Sequence, residues 1–396
     1  MSARLAIEGG APVFRTLLPY GRQQIDDDDV RAVVEVLQSD WLTTGPKVNE
    51  FEDKFAQYVG AKYAVAVSSG TAALHAAVFA AGLGSGDQAI TTPMTFAASA
   101  NCLLYQGATP VFADVQADTL NIDPAEIEKK IAPQTKALIP VDYTGHPADL
   151  DAINQIAARH NLIVIEDAAH ALGATYKSRR IGALATMTIF STHPVKHITT
   201  GEGGVITTDD AELARRLRIF RNHGITTEAR ERQEKGGWFY EMVALGYNYR
   251  LTDLQCALGI QQLAKLDQWL ARRRAIAARY NAAFREIPEI EIPTMKPECK
   301  PAWHLYVIRL NLERLRVGRA EVFKALRGEN IGVNVHYIPV HWHPYYQKLG
   351  FKKGEYPVAE DAYERLISLP MFHAMTDAHV DGVIEAVRKV IAHYRR

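Results

Sequence analysis

From about residue 60 the chain alternates short β-branched runs with helical ones, and this alternation limits its fold more than any other feature. Tyr63 to Ser68 reads as a strand and Thr71 to Ala81 as a helix. Gln88 to Thr92 is a strand followed by a helix through Ala97–Tyr105, and Thr109 to Asp114 is the next strand. Ala137 to Asp142 and Leu162 to Asp167 are two more, separated by a helix near Leu150–His160. The pattern predicts an α/β fold, with a mostly parallel central sheet and helices on both faces. Ligands of such sheets bind beyond the carboxyl ends of the strands, so the chemistry is expected in the loops that leave them.

The flanking segments suggest a division of the chain. Residues 1–25 read as an irregular N-terminal arm. Asp26 to Asp29 then precede the helical pattern Val30, Val33, Val34, Leu37, where carboxylates suit a helix N-terminus. Residues 26–250 are expected to form the large ligand-binding domain. Leu251 to Phe284 is one long amphipathic segment, and its basic knot Arg272-Arg273-Arg274 reads as a solvated helix face. After Pro293 comes a smaller α/β unit with a strand (His304 to Leu310), a helix (Arg319 to Leu326), a strand (Gly332 to Ile338) and a terminal helix (Ala378 to Tyr394). Residues 251–396 are therefore expected to be a linking helix and a small C-terminal domain.

Charge and cysteine content remove several function classes. Lys+Arg and Asp+Glu are both 45, which argues against a broad electrostatic surface for nucleic acid or anionic lipid. Three well-separated cysteines (Cys102, Cys256, Cys299) do not suggest a disulfide framework, and they cannot supply the four thiolates of the usual iron–sulfur cluster. The first residues have no apolar signal core, and the apolar run Ala72 to Leu83 is too short to span a bilayer. No membrane association and a cytoplasmic location are the expectation.

The loops hold candidate chemistry. Lys196 is the only lysine or arginine in the run Ser191-Thr-His-Pro-Val-Lys-His-Ile-Thr-Thr-Gly-Glu-Gly-Gly204, between two strand-like segments. A lysine desolvated there becomes a nucleophile toward aldehydes, as a Schiff-base lysine for pyridoxal phosphate (PLP) requires; an ordinary turn lysine is the other reading. Ser69-Gly70-Thr71 joins a strand to a helix, which suits either a phosphate turn or a simple N-cap. Asp167 ends a buried strand, where a carboxylate needs a partner such as a protonated pyridine nitrogen. His170 is near enough to touch the same ring or to be a satisfied structural histidine. Phe96 suits either stacking on a ring or a place in the core. Asn248 and Arg250 suit phosphate or carboxylate recognition, or helix capping and a surface arginine. His336, His341 and His343 lie among Tyr337, Trp342, Tyr345 and Tyr346 without an accompanying carboxylate or thiolate, so a polar pocket lining is favoured over a metal site.

Taken together these stretches resemble the DegT/DnrJ/StrS-type family of PLP-dependent nucleotide-sugar aminotransferases. The matching segments run from Trp41-Leu-Thr-Thr-Gly-Pro through Ser69-Gly-Thr-Ala-Ala-Leu, Thr91-Thr-Pro-Met-Thr-Phe and Glu166-Asp-Ala-Ala-His-Ala-Leu-Gly. They continue through the Lys196 run, Asn222-His-Gly, Gly246-Tyr-Asn-Tyr-Arg-Leu and His336-Tyr-Ile-Pro. The resemblance implies the fold type I aminotransferase architecture, a homodimer with shared active sites, and transfer of an amino group from L-glutamate to a keto sugar on a nucleotide. It implies that Lys196 is the Schiff-base lysine and proton shuttle, that Asp167 pairs with the pyridinium, and that His170 lies near the ring hydroxyl. Gly70, Thr71 and Ser191 would hold the phosphate, Asn248 would reach it from the other subunit, and Phe96 would stack on the ring. Arg250, His336 and Tyr337 are the candidate substrate contacts, and no metal is implied.

His193-Pro-Val-Lys-His-Ile-Thr-Thr-Gly-Glu-Gly-Gly, Val141-Asp-Tyr-Thr-Gly-His and Trp303-His-Leu-Tyr are most similar to the group making UDP-4-amino-4,6-dideoxy-N-acetyl-β-L-altrosamine, a pseudaminic acid precursor. Thr192 and His197 depart from the commoner residues at their positions and are expected to bear on the sugar. Tyr20 and the loop His341–Tyr346 are candidates for nucleotide contact. Two rivals remain at this point. A dehydratase branch carries histidine where this chain has Lys196, and a non-catalytic regulatory protein could use the same fold.

Overall fold

The computed structural model describes residues 4–227, 232 and 236–396. Two helices open the large layer, α1 (Asp27–Leu37) and α2 (Pro46–Val59). Asp26 caps α1 in a reciprocal capping box with Asp29, as the acidic run predicts. There follow β1 (Tyr63–Val67), α3 (Gly70–Ala80), β2 (Gln88–Thr91), α4 (Ala98–Tyr105), β3 (Thr109–Phe112), α5 (Pro124–Lys130), β4 (Thr135–Ile139), α6 (Leu150–His160) and β5 (Ile163–Asp167). A short pair, β6 (Thr175–Tyr176) and β7 (Arg179–Arg180), precedes β8 (Met187–Ser191), β9 (Gly204–Thr208) and α7 (Ala211–Arg221). After α7 come α8 (Asp253–Phe284), β10 (Ile290–Glu291), β11 (Cys299–Lys300), β12 (Tyr306–Leu310), α9 (Arg319–Gly328), α10 (Pro344–Lys348), α11 (Pro357–Arg365), β13 (Leu366–Leu369) and α12 (Asp377–Tyr394). The sheet β10-β12-β13 and the helices around it form a smaller unit, whereas β11 pairs with β6.

Seven strands form the central sheet in the order β1-β9-β8-β5-β4-β2-β3. Pairings from β8 through β5, β4 and β2 to β3 are parallel, and β9 runs antiparallel to both β1 and β8. The strands are apolar on both faces because helices cover both, and α3 is correspondingly buried nearly all round. This topology decides where the chemistry sits. The carboxyl ends of β1, β5 and β8 deliver Ser69-Gly70, Asp167 and Ser191 to one edge of the sheet. The turn from β8 into β9 reverses there, so Lys196 lies on that edge too.

The 32-residue α8, roughly 48 Å long, links two cores. Cys256, Ile260, Leu263 and Leu270 pack against α2 and the large sheet, whereas Ile276, Tyr280 and Phe284 pack with β12, β13 and α12. The N-terminal arm belongs to the second core through Leu5 and Leu18, and the Glu329 carboxylate accepts the Ala6 and Val13 amides at 2.9 and 3.0 Å.

Two expectations need correction. Gly332 to Ile338 is not a strand: it makes only an isolated bridge, Asn334 to Ser368, and β13, which sequence patterning missed, takes the place beside β12. The basic knot is not a solvated face either. Arg273 is 1% exposed, and its Nη1 donates to the carbonyls of Trp303, His304 and Met371 at 3.0, 3.3 and 2.9 Å. Burial lowers its pKa to about 10, so it stays cationic at neutral pH and ties α8 to two chain segments of the small unit. Arg273→Met strands these acceptors at roughly 1–3 kcal/mol each, so a loss on the order of 3 kcal/mol is expected in denaturant melts. A loss below about 1 kcal/mol would contradict this role for Arg273.

Candidate active site

Asp167 closes β5 with both carboxylate oxygens engaged. Oδ2 accepts from the Ser99 hydroxyl at 2.6 Å, and Oδ1 from the Ala169 amide at 3.1 Å. Burial pushes its pKa up, while these hydrogen bonds and the nearby Lys196 pull it back toward the ionised form. Ser99 sits in the first turn of α4, three residues after Phe96. Sequence reading passed over it because a serine at that position signals only a helix start.

Lys196 is half-buried as a residue, but its amino group lies deep enough for desolvation to lower its pKa from 10.5 to about 8. Asp167 is the charge that opposes this shift. The other polar neighbours are imidazoles: His304 Nε2 is 3.5 Å from Lys196 Nζ, and the His304 ring packs 4.3 Å from His170 and 5.6 Å from His197. Burial, first of all, holds His170, His197 and His304 well below the usual histidine pKa, and it takes His336 down to about 4. With the four rings neutral, Lys196 and Asp167 act on each other as opposite charges across the crevice.

A third group lies at the start of α3. Ser69 caps the helix through the Ala72 amide at 3.0 Å, leaving Gly70 and Thr71 at its positive end. A Cβ on Gly70 would approach Ser191 Cβ to 3.0 Å and Oγ to 3.3 Å, so a small residue here preserves a cradle beside Ser191. Gly70, Thr71, Ser191 and Lys196 are all half-exposed. A phosphate fits the α3 terminus with its glycine and hydroxyls. A pyridinium fits Asp167, a buried carboxylate held in place and lacking a second cation. An aldehyde fits the desolvated lysine. The protein thus has the donor set that PLP needs.

His170 and Tyr337 complete the crevice. Tyr337 Oη lies 3.0 Å from His170 Nε2 with the rings stacked, and His170 Nδ1 has no protein partner among the described residues. His336 is buried, with Nδ1 2.8 Å from the Ser368 hydroxyl and its ring 5.3 Å from that of Tyr20. Phe96 is 61% exposed with its ring 6.1 Å from Tyr337, so it is no core residue.

The remaining candidates fall elsewhere. Asn248 is exposed on a segment bridging to Asn222, while Arg250 donates to the Asn222 side chain at 2.7 Å and borders a separate small cavity with Thr44 and Gly45. His341 is not a pocket residue, because it is buried with Nε2 2.9 Å from Glu360, a carboxylate distant in sequence. His343 caps α10. Thr192 and His197, expected to bear on the sugar, are buried. Thr192 Oγ1 pairs with Thr200 Oγ1 at 2.6 Å, and His197 Nε2 lies 3.2 Å from the Ala302 carbonyl. Both shape the Lys196 loop from beneath. Among the described residues no group of three or more His, Cys, Asp or Glu could hold a metal ion.

Comparison with known proteins agrees with this geometry. Residues 23–388 match the DegT/DnrJ/EryC1/StrS aminotransferase family. The spore coat polysaccharide biosynthesis protein SpsC of Bacillus subtilis (strain 168) is 48% identical over 377 residues, 94% of this chain and 97% of SpsC. Spr1654 of Streptococcus pneumoniae in its PMP form superposes with a TM-score of 0.90 at 33% identity, covering 95% of this chain and 99% of that one, and its PLP form is also solved. Helicobacter pylori PseC, an aminotransferase involved in the biosynthesis of pseudoaminic acid, superposes at 0.89 with 32% identity over 96% of this chain and all of PseC.

The depressed lysine gives a measurable pH dependence. The neutral amine is the reactive form, so reactivity of Lys196 in the apo-protein should rise with pH and reach half its maximum near 8. Asp167→Asn removes the charge that favours the ammonium and should move the midpoint lower still. Competitive labelling followed by peptide mass spectrometry reads both values. A midpoint matching that of exposed lysines would contradict the desolvated setting.

Proposed function

Since the chain belongs to the DegT/DnrJ/EryC1/StrS aminotransferase family and is a PLP-dependent transaminase, we propose that it aminates a nucleotide-linked 4-keto-6-deoxy sugar, with L-glutamate as donor. The proposed acceptor is UDP-2-acetamido-2,6-dideoxy-L-arabino-hex-4-ulose, giving UDP-4-amino-4,6-dideoxy-N-acetyl-β-L-altrosamine. The observation that carries the transaminase site is Lys196, lowered to about 8 beside Asp167. The sugar class is supported by the resemblance to PseC and to SpsC, a spore coat polysaccharide biosynthesis protein.

PLP, when bound, supplies an electron sink that stabilises the carbanion left when a Cα–H bond breaks. The residues have distinct tasks in this reading. Asp167 Oδ1 and Oδ2, locked by Ala169 and Ser99, keep a proton on the pyridine nitrogen. Lys196 Nζ would hold the cofactor's aldehyde and, as a neutral amine, would accept and return the substrate proton. A pKa near 8 suits both duties, because the group exchanges protons readily close to neutral pH. Gly70, Thr71 and Ser191 would hold the phosphate, and His170 would face the ring hydroxyl. Phe96 would stack on the ring, and Tyr337 and His336 would serve the substrate.

A homodimer is part of the proposal. Trp238, Phe239, Met242, Val243 and Leu245 are exposed just before Asn248, an apolar run suited to burial against a second copy. Asn248 would then reach the partner's phosphate site. We also propose that residues 26–250 and 251–396 act as large and small domains, and that the enzyme works in the cytoplasm. Among the described residues, no helix is long and apolar enough to cross a membrane.

The greater identity to SpsC, 48% against 32% for PseC, favours a second reading in which the acceptor is another UDP-, dTDP- or GDP-linked keto sugar. Incubating the PLP enzyme with L-glutamate should convert the cofactor to its amine form. A panel of UDP-, dTDP- and GDP-linked 4-keto sugars then identifies the acceptor by product mass and NMR. Amination of the UDP-4-keto-6-deoxy-N-acetyl sugar at C4 is expected. Amination of only 3-keto or GDP sugars would overturn the assigned substrate, and no 2-oxoglutarate with any acceptor would overturn the glutamate reading. Sedimentation should give a dimer that Leu245→Glu weakens.

A further inference from the structure

His304 lies within hydrogen-bond range of the Lys196 amine, yet its residue type and position point to no standard task in the reaction. Its setting is unusually fixed. The backbone carbonyls of Trp303 and His304 are held by the buried Arg273 guanidinium. The flanking amides of Ala302 and Leu305 donate to the carbonyls of Gly145 and Thr144 at 2.9 and 3.2 Å. Gly145 has φ +98°, and a Cβ there would fall 2.6 Å from the His170 carbonyl oxygen and 3.0 Å from the His304 amide nitrogen. The ring itself is wedged between His170 and His197. Three separate segments thus aim one imidazole at one amine.

The hydrogen-bond inventory of the ring limits what it does. Nε2 faces Lys196 Nζ at 3.5 Å, and Nδ1 has no partner among the described residues. An ammonium has three N–H donors and no acceptor, so Nε2 must present its lone pair and the ring proton resides on Nδ1. A protonated imidazolium at this distance would repel the ammonium, and burial disfavours that form. The charged and titratable groups around the pair are Asp167 on β5, His170 just beyond it, His197 on the Lys196 loop, His336 and Tyr337 from the small unit, and Arg273 on α8. Among these, Asp167 attracts the ammonium from one side and His304 is the group in hydrogen-bond range of Nζ.

We propose that His304 is a positioning residue for Lys196: its Nε2 accepts a hydrogen bond from the ammonium and fixes the direction in which the amine meets the cofactor. Asp167 then supplies charge without having to supply direction, and its oxygens stay committed to Ser99, Ala169 and the pyridine nitrogen. The proposal rests on the reading of Lys196 as the cofactor lysine. It concerns a property of the apo-protein, so the two can fail separately.

The test compares apo wild type, His304→Gln and His304→Asn. A glutamine amide reaches the Nε2 position, whereas an asparagine amide stops near Nδ1. Each protein is labelled with trace acetic anhydride across a pH series, and the Lys196 peptide is quantified against exposed lysines. Removing an acceptor from the ammonium disfavours the charged form. The labelling midpoint should therefore hold in His304→Gln and fall by about one unit in His304→Asn, a tenfold change in the protonation equilibrium. A purely structural role would move both variants alike or neither. Any order other than wild type and Gln together above Asn overturns the proposal. Should His304→Asn not fold, as judged by circular dichroism, His304→Met replaces it with the same expected fall. PLP found attached to a different lysine would instead overturn the functional reading and leave the midpoint result standing.

Discussion

The desolvation of one amine is the constraint around which the site is arranged. Water would hold Lys196 as an ammonium up to about pH 10. Protein atoms and neutral imidazoles replace that water and bring its pKa to about 8, with Asp167 preventing a further fall. Neither partner could be buried alone: an isolated buried carboxylate or ammonium costs several kcal/mol even after relaxation. Together they leave a poised base beside a fixed anion, which is the electrostatic pattern that a cationic aromatic cofactor requires. The histidines serve this arrangement by remaining neutral, since a protonated ring among them would expel the lysine's charge.

Topology supplies the coincidence of parts. Parallel strands place their carboxyl ends on one edge, so β1, β5 and β8 deliver a phosphate turn, a carboxylate and a hydroxyl to a common crevice. The antiparallel strand β9 brings the chain back beside β8, and the loop between them, residues 192–203, carries Lys196. The small unit closes the crevice from the other side. Its grip depends on Arg273, which couples the long helix to the His304 segment, and on Gly145, where three backbones meet too closely for a side chain.

Much of this was readable from the chain. Strand–helix alternation gave the sheet, and Lys196, Asp167 and Ser69-Gly70-Thr71 lay at strand ends where α/β ligands bind. Local signals failed where the deciding contacts are long-range. Arg273 looks solvated because its neighbours Arg272 and Arg274 are charged, yet its partners lie about thirty and a hundred residues away in sequence. Gly332 to Ile338 has strand composition, but the neighbouring edge is filled by β13. Glu360 could not be assigned to His341 from spacing alone. Ser99 signals only a helix start, and His304 stands in a resembling stretch that carries no role by itself; only the folded chain brings them to Asp167 and Lys196.

The most direct test of the account is where PLP attaches. Borohydride reduction of the PLP-loaded protein fixes the cofactor to its lysine, and peptide mass spectrometry then locates the phosphopyridoxyl group. The account predicts the adduct on the peptide containing Lys196 and its absence in Lys196→Ala. An adduct on any other lysine of the wild-type protein, or a protein that binds no PLP, would contradict it.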